Sequence, residues 1–591
     1  MTRIAVYALG ADRLVVCGDA GERWVLGVGA ELLGEPAVVQ VLDGLRASGP
    51  DAVPPVCGEH DSIVGSLADV VELGARDADA GASVVVWRYG SRHVRMLLDG
   101  RGRHRGALDA RDALLSTVDD AEMARAFARH PLVDDVVIAR TGRLDAPAPG
   151  VLQCADDGGW GDHAIDPAPL VDALTGILHR VRRRPVDPAL PPGFEHWHAE
   201  LPFLSSIDAR WLPDALAPAG SFVGAVEPGR EAAIRSGVAH YCGAYLGQGA
   251  RVFASEAELA GERVLTIAEW RPHDPVLERE PGFPFAPVAP DERLWWLRGS
   301  DDDGPCVAPL SLVHAGYLQA ALPGMRATNG HNLVGLQAGA SLAEAVERAC
   351  AHVVAHDAVA RWWDSGDVLG EVPVPSVVAD AWGGSDLALR VLAVPAVGGL
   401  PVRLAVVDDG RANIVSLGFA GHADADEAGV LAVVEALIQH ASARDLDRPD
   451  SLIRDAGKLG NGGVAGLREY SPARDYADAF GDDHRGLIDP MAHVQFGLDP
   501  RVVAETRRRV LGAGVPAAST SAADSGATSA ATSARRALHD TGHRVVTVDV
   551  TTDRVRRAGM HAARVLVPGL ARLQPAAFPL TVGGGAPYPG W

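Results

Sequence analysis

ATNGHNLVGLQAGASLAEAVERACAHVVAHDAVARWW, residues 327–363, decides how the chain is read. Gly330, Gly335 and Gly339 fall within ten residues, and the chain turns helical after Ser341. Ser341 is a preferred N-cap, and Glu344 three residues on completes an S-x-x-E capping box. Leu342, Val346, Ala349, Val353 and Val354 then recur at the three- and four-residue spacing of one buried helix face. A Gly-rich turn feeding a capped helix can cradle an anion, because free backbone N–H groups and the helix dipole point at it. The plainer reading is a loop packed before a core helix.

The 591 residues suggest three or four domains of about 150 residues, and 47% hydrophobic content is enough for several cores. Acidic residues outnumber basic ones by 76 to 54, a net charge of −22. Such a surface repels phosphate backbones, so no nucleic-acid partner is expected. The six cysteines are scattered without a C-x-x-C, which indicates neither a structural zinc site nor a disulfide framework. MTRIAVYALGADR has no cleavage-site pattern, and no apolar stretch of about 18 residues occurs. A cytoplasmic protein without a membrane partner is expected.

Residues 1–80 read as three short strands (4–9, 14–17 and 23–28) followed by helical stretches at 36–45 and 62–73. This pattern resembles the winged-helix-like α+β module that recognises precursor peptides in ribosomal-peptide modification enzymes. The resemblance implies that a leader peptide adds beside the third strand (Trp24, Val25, Leu26) and packs on the last helix (Leu67, Val70, Val71). A generic small α+β domain fits the same pattern. Residues 81–160, with β-branched runs at 83–88 and 133–139 around a helical stretch at 107–128, read as a βαβ-like fragment without G-x-G-x-x-G, ending in a linker. It resembles the E1-like scaffold that accompanies such modules.

A new unit opens near residue 161. It carries a helix at 227–245, a strand-rich part at 263–309, consecutive strands at 391–394, 402–407 and 414–419, and a helix at 426–442. Strands follow at 545–550 and 562–567, while residues 512–534 read as a disordered loop. From residue 167 to 591 this order resembles the YcaO family of ATP-dependent peptide-backbone modifiers. The resemblance rests on the helix at 232–241, on TNG…AGASLAEAV…HDAVARWW, on VSLGFAGHADADEAGVLAVVEAL and on VTVDVTTDRVRRAGMHAARVLVPGL. YADAFGDDHRGLIDPMAHVQFGLDP and PAAFP resemble the azoline-forming branch of thiopeptide- and goadsporin-like pathways. The implied fold is α+β, mixed sheets with packed helices.

In that family ATP activates a backbone amide attacked by a Ser, Thr or Cys side chain, and Mg²⁺ held by carboxylates neutralises the triphosphate. Carried onto this chain, most of the implied ligands are replaced. The Glu, Glu and Arg positions of the first helix are Ser236, Ala239 and His240. The loop Asn is Ala340, Glu344 is kept, and the next Glu, Glu and Arg are His352, Ala355 and His356. Glu435 matches a family Glu on the third helix and His440 its Arg, while Thr175 stands at the N-terminal phosphate contact. The implied function is therefore a YcaO component of azol(in)e biosynthesis that binds a precursor peptide or supports a catalytic YcaO or E1-like partner, without hydrolysing ATP. No cofactor is expected under that reading. An active cyclodehydratase using ATP and Mg²⁺ is the first alternative. A pocket repurposed for a transition metal by His240, His352 and His356 is the second, since imidazoles four residues apart share a helix face. A homodimer or hetero-complex is expected.

Overall fold

Alternating apolar residues at the start of the chain form strands close to where they are expected. In the computed structural model β1 (Ile4–Ala8), β2 (Arg13–Gly18) and β3 (Arg23–Gly27) make an antiparallel meander. β4 (Ser83–Tyr89) and β5 (Arg92–Leu98) form a hairpin, and β6 (Val137–Arg140) pairs antiparallel with both β3 and β4. The result is one six-stranded sheet ordered β1-β2-β3-β6-β4-β5. This corrects the βαβ reading, which requires β4 and β6 to run parallel. The outer side of β3 is also not wholly open to a peptide strand, because Trp24 already faces Ala139 of β6.

In residues 1–179 the structure describes these six strands with residues 170, 171 and 178. From residue 180 it describes the chain except 185–186, 202–215, 245–250, 316, 318–323, 331, 452, 455–465, 512–532, 553–554, 557, 582–585 and 591. The expected helices at 36–45, 62–73 and 107–128, with Leu67, Val70 and Val71, lie outside the described residues, as do Thr175 and most of the loop at 512–534. The chain divides into two compact units, Met1–Arg180 with Leu201–Asp214, and Val181–Glu200 with Ala215–Trp591.

In the second unit β7 (Arg180–Arg183), β8 (Phe194–Glu200) and β9 (Leu216–Phe222) form a small sheet that leads into α1 (Gly229–Ala244). β10 (Arg251–Ala254), β11 (Arg263–Val264), β12 (Leu294–Asp301), β13 (Gly304–Pro309) and β14 (Leu336–Gly339) precede α2 (Leu342–Ser365). The antiparallel sheet β15 (Gly370–Val372), β16 (Ala388–Val394), β17 (Val402–Asp409) and β18 (Ile414–Gly421) comes next. α3 (Ala425–Leu446), α4 (Pro490–Phe496), β19 (Val546–Asp549) and β20 (His561–Leu566) complete the parts that matter for the site. β19 and β20 return to the larger sheet, ordered β11-β13-β12-β19-β20-β14 with β10 on β12.

α2 is the helix that the seven-stranded sheet and the β15–β18 sheet share. It packs on β14 and β20 and also on β17 and β18, so it is buried on nearly every side, from Ala345 through Trp363. Small residues make this possible: Ala349, Cys350, Ala351 and Ala355 are buried with Val353, Val354 and Val359 in one core. A helix apolar all round belongs inside a domain, and each fully buried Val or Leu contributes about 1.5–3 kcal/mol. Its ends are defined as the sequence indicates. Ser341 Oγ accepts the Glu344 N–H at 3.2 Å, Glu344 Oε2 accepts the Ala340 N–H at 3.0 Å, and Gly366 closes the helix at φ 69°. Gly418 lets β18 touch α3, since a Cβ there would collide with the backbone of Ala432 and Ala436. Among the described residues no helix is long and apolar enough to cross a membrane.

Candidate functional site

α2 carries the centre of the site. One helical turn brings His352 and His356 together, with Nε2 atoms 3.0 Å apart and rings 4.6 Å between centroids. His352 Nδ1 accepts the Gly335 N–H at 3.2 Å and lies 3.2 Å from Gln337 Nε2. A nitrogen that accepts a backbone N–H carries no proton, so neutral His352 holds its proton on Nε2 and donates it to His356. His356 therefore carries its own proton on Nδ1. Burial pushes His352 down to about 4, helped by the charge of Arg564, and it pushes His356 well below its ordinary value. Both rings are neutral at pH 7.

Ala355, expected at a former carboxylate position, is 1% exposed and sits against Gly421 of β18. On α1, Ala239 is buried, and Ser236 Oγ donates to the Pro218 carbonyl at 3.3 Å. His240 is half-buried, and burial lowers its pKa. Among the described residues no three His, Cys, Asp or Glu side chains converge as metal ligands. The expected trio His240, His352 and His356 is therefore not brought together as a ligand set.

Glu344 is not a free carboxylate. Its Oε1 pairs with Arg348 Nε at 2.9 Å, and its Oε2 holds the Ala340 N–H. Burial opposes its ionisation, but Arg348, that N–H and Arg235 outweigh it and hold the carboxyl below its ordinary value. Arg235 of α1 is ion-paired with Glu227, and it is pushed down to about 10 by burial and by Arg348. Glu227–Arg235 and Glu344–Arg348 are thus two ion pairs near enough to act on each other electrostatically, and sequence reasoning missed both arginines.

α3 splits its two expected residues. Glu435 keeps contact with solvent, yet protein atoms crowd it enough that desolvation pushes its carboxyl up to about 7. His440 does not line an open pocket. It is fully enclosed, with Nδ1 3.2 Å from Ser416 Oγ and Nε2 3.8 Å from Asp409 Oδ2. Five residues separate these positions, which turns them well over a quarter circle apart on the helix.

The tail of the chain reaches the same region. Trp363 Nε1 donates to the Ala586 carbonyl at 2.6 Å and Gln439 Nε2 to the Pro589 carbonyl at 3.2 Å. Buried His493 accepts the Ala576 N–H on Nε2 at 3.0 Å and donates from Nδ1 to the Tyr588 carbonyl at 2.7 Å. Tyr588 in turn lies edge-on to Phe419, whose ring is 4.9 Å from His356. Asp489 caps α4 through the Ala492 N–H at 2.9 Å and also accepts the Gly466 N–H at 2.8 Å. His493 and Asp489 are therefore structural fasteners.

Residues 230–571 match the family model described as YcaO cyclodehydratase, ATP- and Mg²⁺-binding. No curated protein matches the chain. Among solved structures, a heterocyclase in complex with substrate and cofactor is 17% identical with a TM-score of 0.45, over 68% of this chain and 51% of that one. The chain thus spans about half the length of that heterocyclase. YcaO from Methanopyrus kandleri bound with AMPPCP and Mg²⁺ is 15% identical, TM-score 0.42, over 66% and 86% of the two chains. The E. coli microcin synthetase McbBCD complex with pro-MccB17 bound is 11% identical, TM-score 0.42, over 68% and 93%.

Proposed function

The chain belongs to the YcaO cyclodehydratase family, and we propose that it serves azol(in)e formation on a ribosomal precursor peptide without hydrolysing ATP. It binds the precursor, or supports a catalytic YcaO or E1-like partner, in a pathway of the thiopeptide- and goadsporin-like kind. Residues 1–80 act as the leader-recognition module, 81–160 as scaffold and 161–591 as the YcaO domain.

The observation that carries this reading is the hydrogen bond between His352 and His356. Mg²⁺ takes oxygen ligands in near-octahedral geometry. The positions that should supply them offer the neutral imidazole of His352, engaged with His356, the hydroxyl of Ser236, which donates to the Pro218 carbonyl, and the methyl groups of Ala239 and Ala355. Glu344 is already neutralised by Arg348, and Glu435 is the one other carboxylate of the set. These residues do not fit Mg²⁺-ATP, and a neutral histidine is a poor replacement for a fixed arginine on phosphate.

The retained carboxylates Glu344 and Glu435 favour the alternative of an active cyclodehydratase. Calorimetry with Mg²⁺-ATP, run beside a fluorescent-leader binding assay, separates the two. Leader binding without nucleotide binding is the expected result. Nucleotide binding anywhere up to about millimolar Kd overturns the non-hydrolysing reading. Zinc or iron found by elemental analysis would move the histidines to a metal role.

A further inference from the structure

A cavity that this function does not use lies beside the large sheet, within the second unit. Trp270, Phe285, Phe578, Asn329, Arg564 and Arg572 line it, and it opens partly to solvent. Arg564 projects from β20 and is 1% exposed. Its Nη2 donates to the Asn332 carbonyl at 2.8 Å, while Nε and Nη1 meet no partner. Arg572 is 7% exposed, donates to the Arg271 carbonyl, and holds its guanidinium 4.4 Å from the Trp270 ring centre. Among the described residues neither arginine is ion-paired with a carboxylate. Burial pushes both down to about 9, and the charge of Arg572 adds to the effect on Arg564.

Two buried cations side by side with no counter-charge are expensive, and an arginine with unused N–H groups is more so. An anion seated between them offsets that cost. Beside Asn329, Asn332 and Gln574, the wall also carries aromatic rings: Trp270 stands under Arg572, and Phe285 and Phe578 meet edge to face at 4.8 Å. A hydrated polyphosphate gains little from such walls. A carboxylate carried on an aromatic or aliphatic body uses both the guanidinium N–H groups and the rings.

We propose that this cavity is a binding subsite for a carboxylate-bearing ligand, its oxyanion on the unused N–H groups of Arg564 and its apolar body against Trp270, Phe285 and Phe578. The ligand is either an acidic residue of a bound peptide beside an apolar neighbour or a free aromatic acid. The inference stands whether or not the chain binds ATP.

The test uses the full chain and calorimetry with N-acetylphenylalanine, its uncharged amide, inorganic phosphate, and the blocked peptide acetyl-Phe-Glu-Phe-amide. Carboxylate-dependent binding is expected, weakened at least about tenfold by Arg564→Met. Competition by the blocked peptide identifies a peptide source, and binding of the free acid alone a small-molecule source. A second readout needs no ligand: because Arg564→Met removes an uncompensated buried charge and keeps the volume, its melting temperature should equal or exceed that of the unsubstituted protein. Equal binding of acid and amide, preference for phosphate, no binding of the acid or peptide up to about 10 mM, or a melting temperature lowered by Arg564→Met would each overturn the proposal.

Discussion

His440 gives the sharpest quantitative test of the interior, because acid should find it. Its imidazole is fully enclosed against Ser416, and Asp409 Oδ2 stands 3.8 Å away, bonded instead to Arg444 Nη1 at 3.2 Å. Burial pushes His440 from 6.5 down to about 4; Asp409, Asp187 and Asp408 pull upward, and Arg444 pushes down. The unfolded chain takes up this proton near pH 6.5 and the folded chain only near 4. The stability this histidine contributes is therefore intact above pH 6.5 and is lost as the pH falls through 4. At about pH 5 the loss from this one group is about 2 kcal/mol, and below pH 4 it reaches about 3 kcal/mol. His440→Gln keeps a partner for Ser416 and cannot titrate. Urea unfolding of both proteins at about pH 7.5 and about pH 5, followed by tryptophan fluorescence, gives the double difference. The native histidine protein should lose about 2 kcal/mol more than the glutamine variant between the two conditions. Equal losses would refute the claim that His440 is buried in its neutral form.

Ser341→Ala removes the α2 cap and should cost about 1 kcal/mol in the same urea assay, with Ser341→Asp retaining most of it. Asp489→Ala strands two N–H groups, those of Ala492 and Gly466. It should cost about 2 kcal/mol, read as a lower melting temperature. Gly418→Ala forces a methyl group into the α3 backbone. A loss of about 3 kcal/mol or more, seen as a drop in soluble yield and melting temperature, is expected because the obstacle is backbone and cannot turn aside. Trp363→Phe loses the bond to the Ala586 carbonyl, and limited proteolysis should then cut near residue 586 several times faster.

Local signals made much of the fold legible. The capping box, the three- and four-residue apolar spacing and the β-branched runs placed α2 and β16 to β18 within a few residues of their observed limits. Pairing between distant segments left no such mark. Nothing in Val137–Arg140 announces that it enters between β3 and β4, because strand register is settled by partners far away in sequence. The site shows the same division. His352 and His356 are neighbours by helical geometry alone, whereas the enclosure of His440 depends on how α3 is rolled against β17 and β18. Arg235 went unnoticed because its approach to Glu344 and Arg348 of α2 is a tertiary fact. Arg564 stands in a strand of alanines and valines, where an arginine reads as an exposed edge rather than a buried cation.

Position 352 sits beneath two hydrogen-bond donors, the Gly335 N–H and the Gln337 amide. Gly335 reaches that position at φ 83°, and any Cβ on it would strike the Val565 carbonyl. The first donor thus belongs to a kink of main chain that only glycine can occupy. Donors of this kind receive a carboxylate oxygen as readily as an imidazole nitrogen. With both donors already in place, position 352 can exchange its imidazole for an acidic side chain while the backbone beneath it stays unchanged.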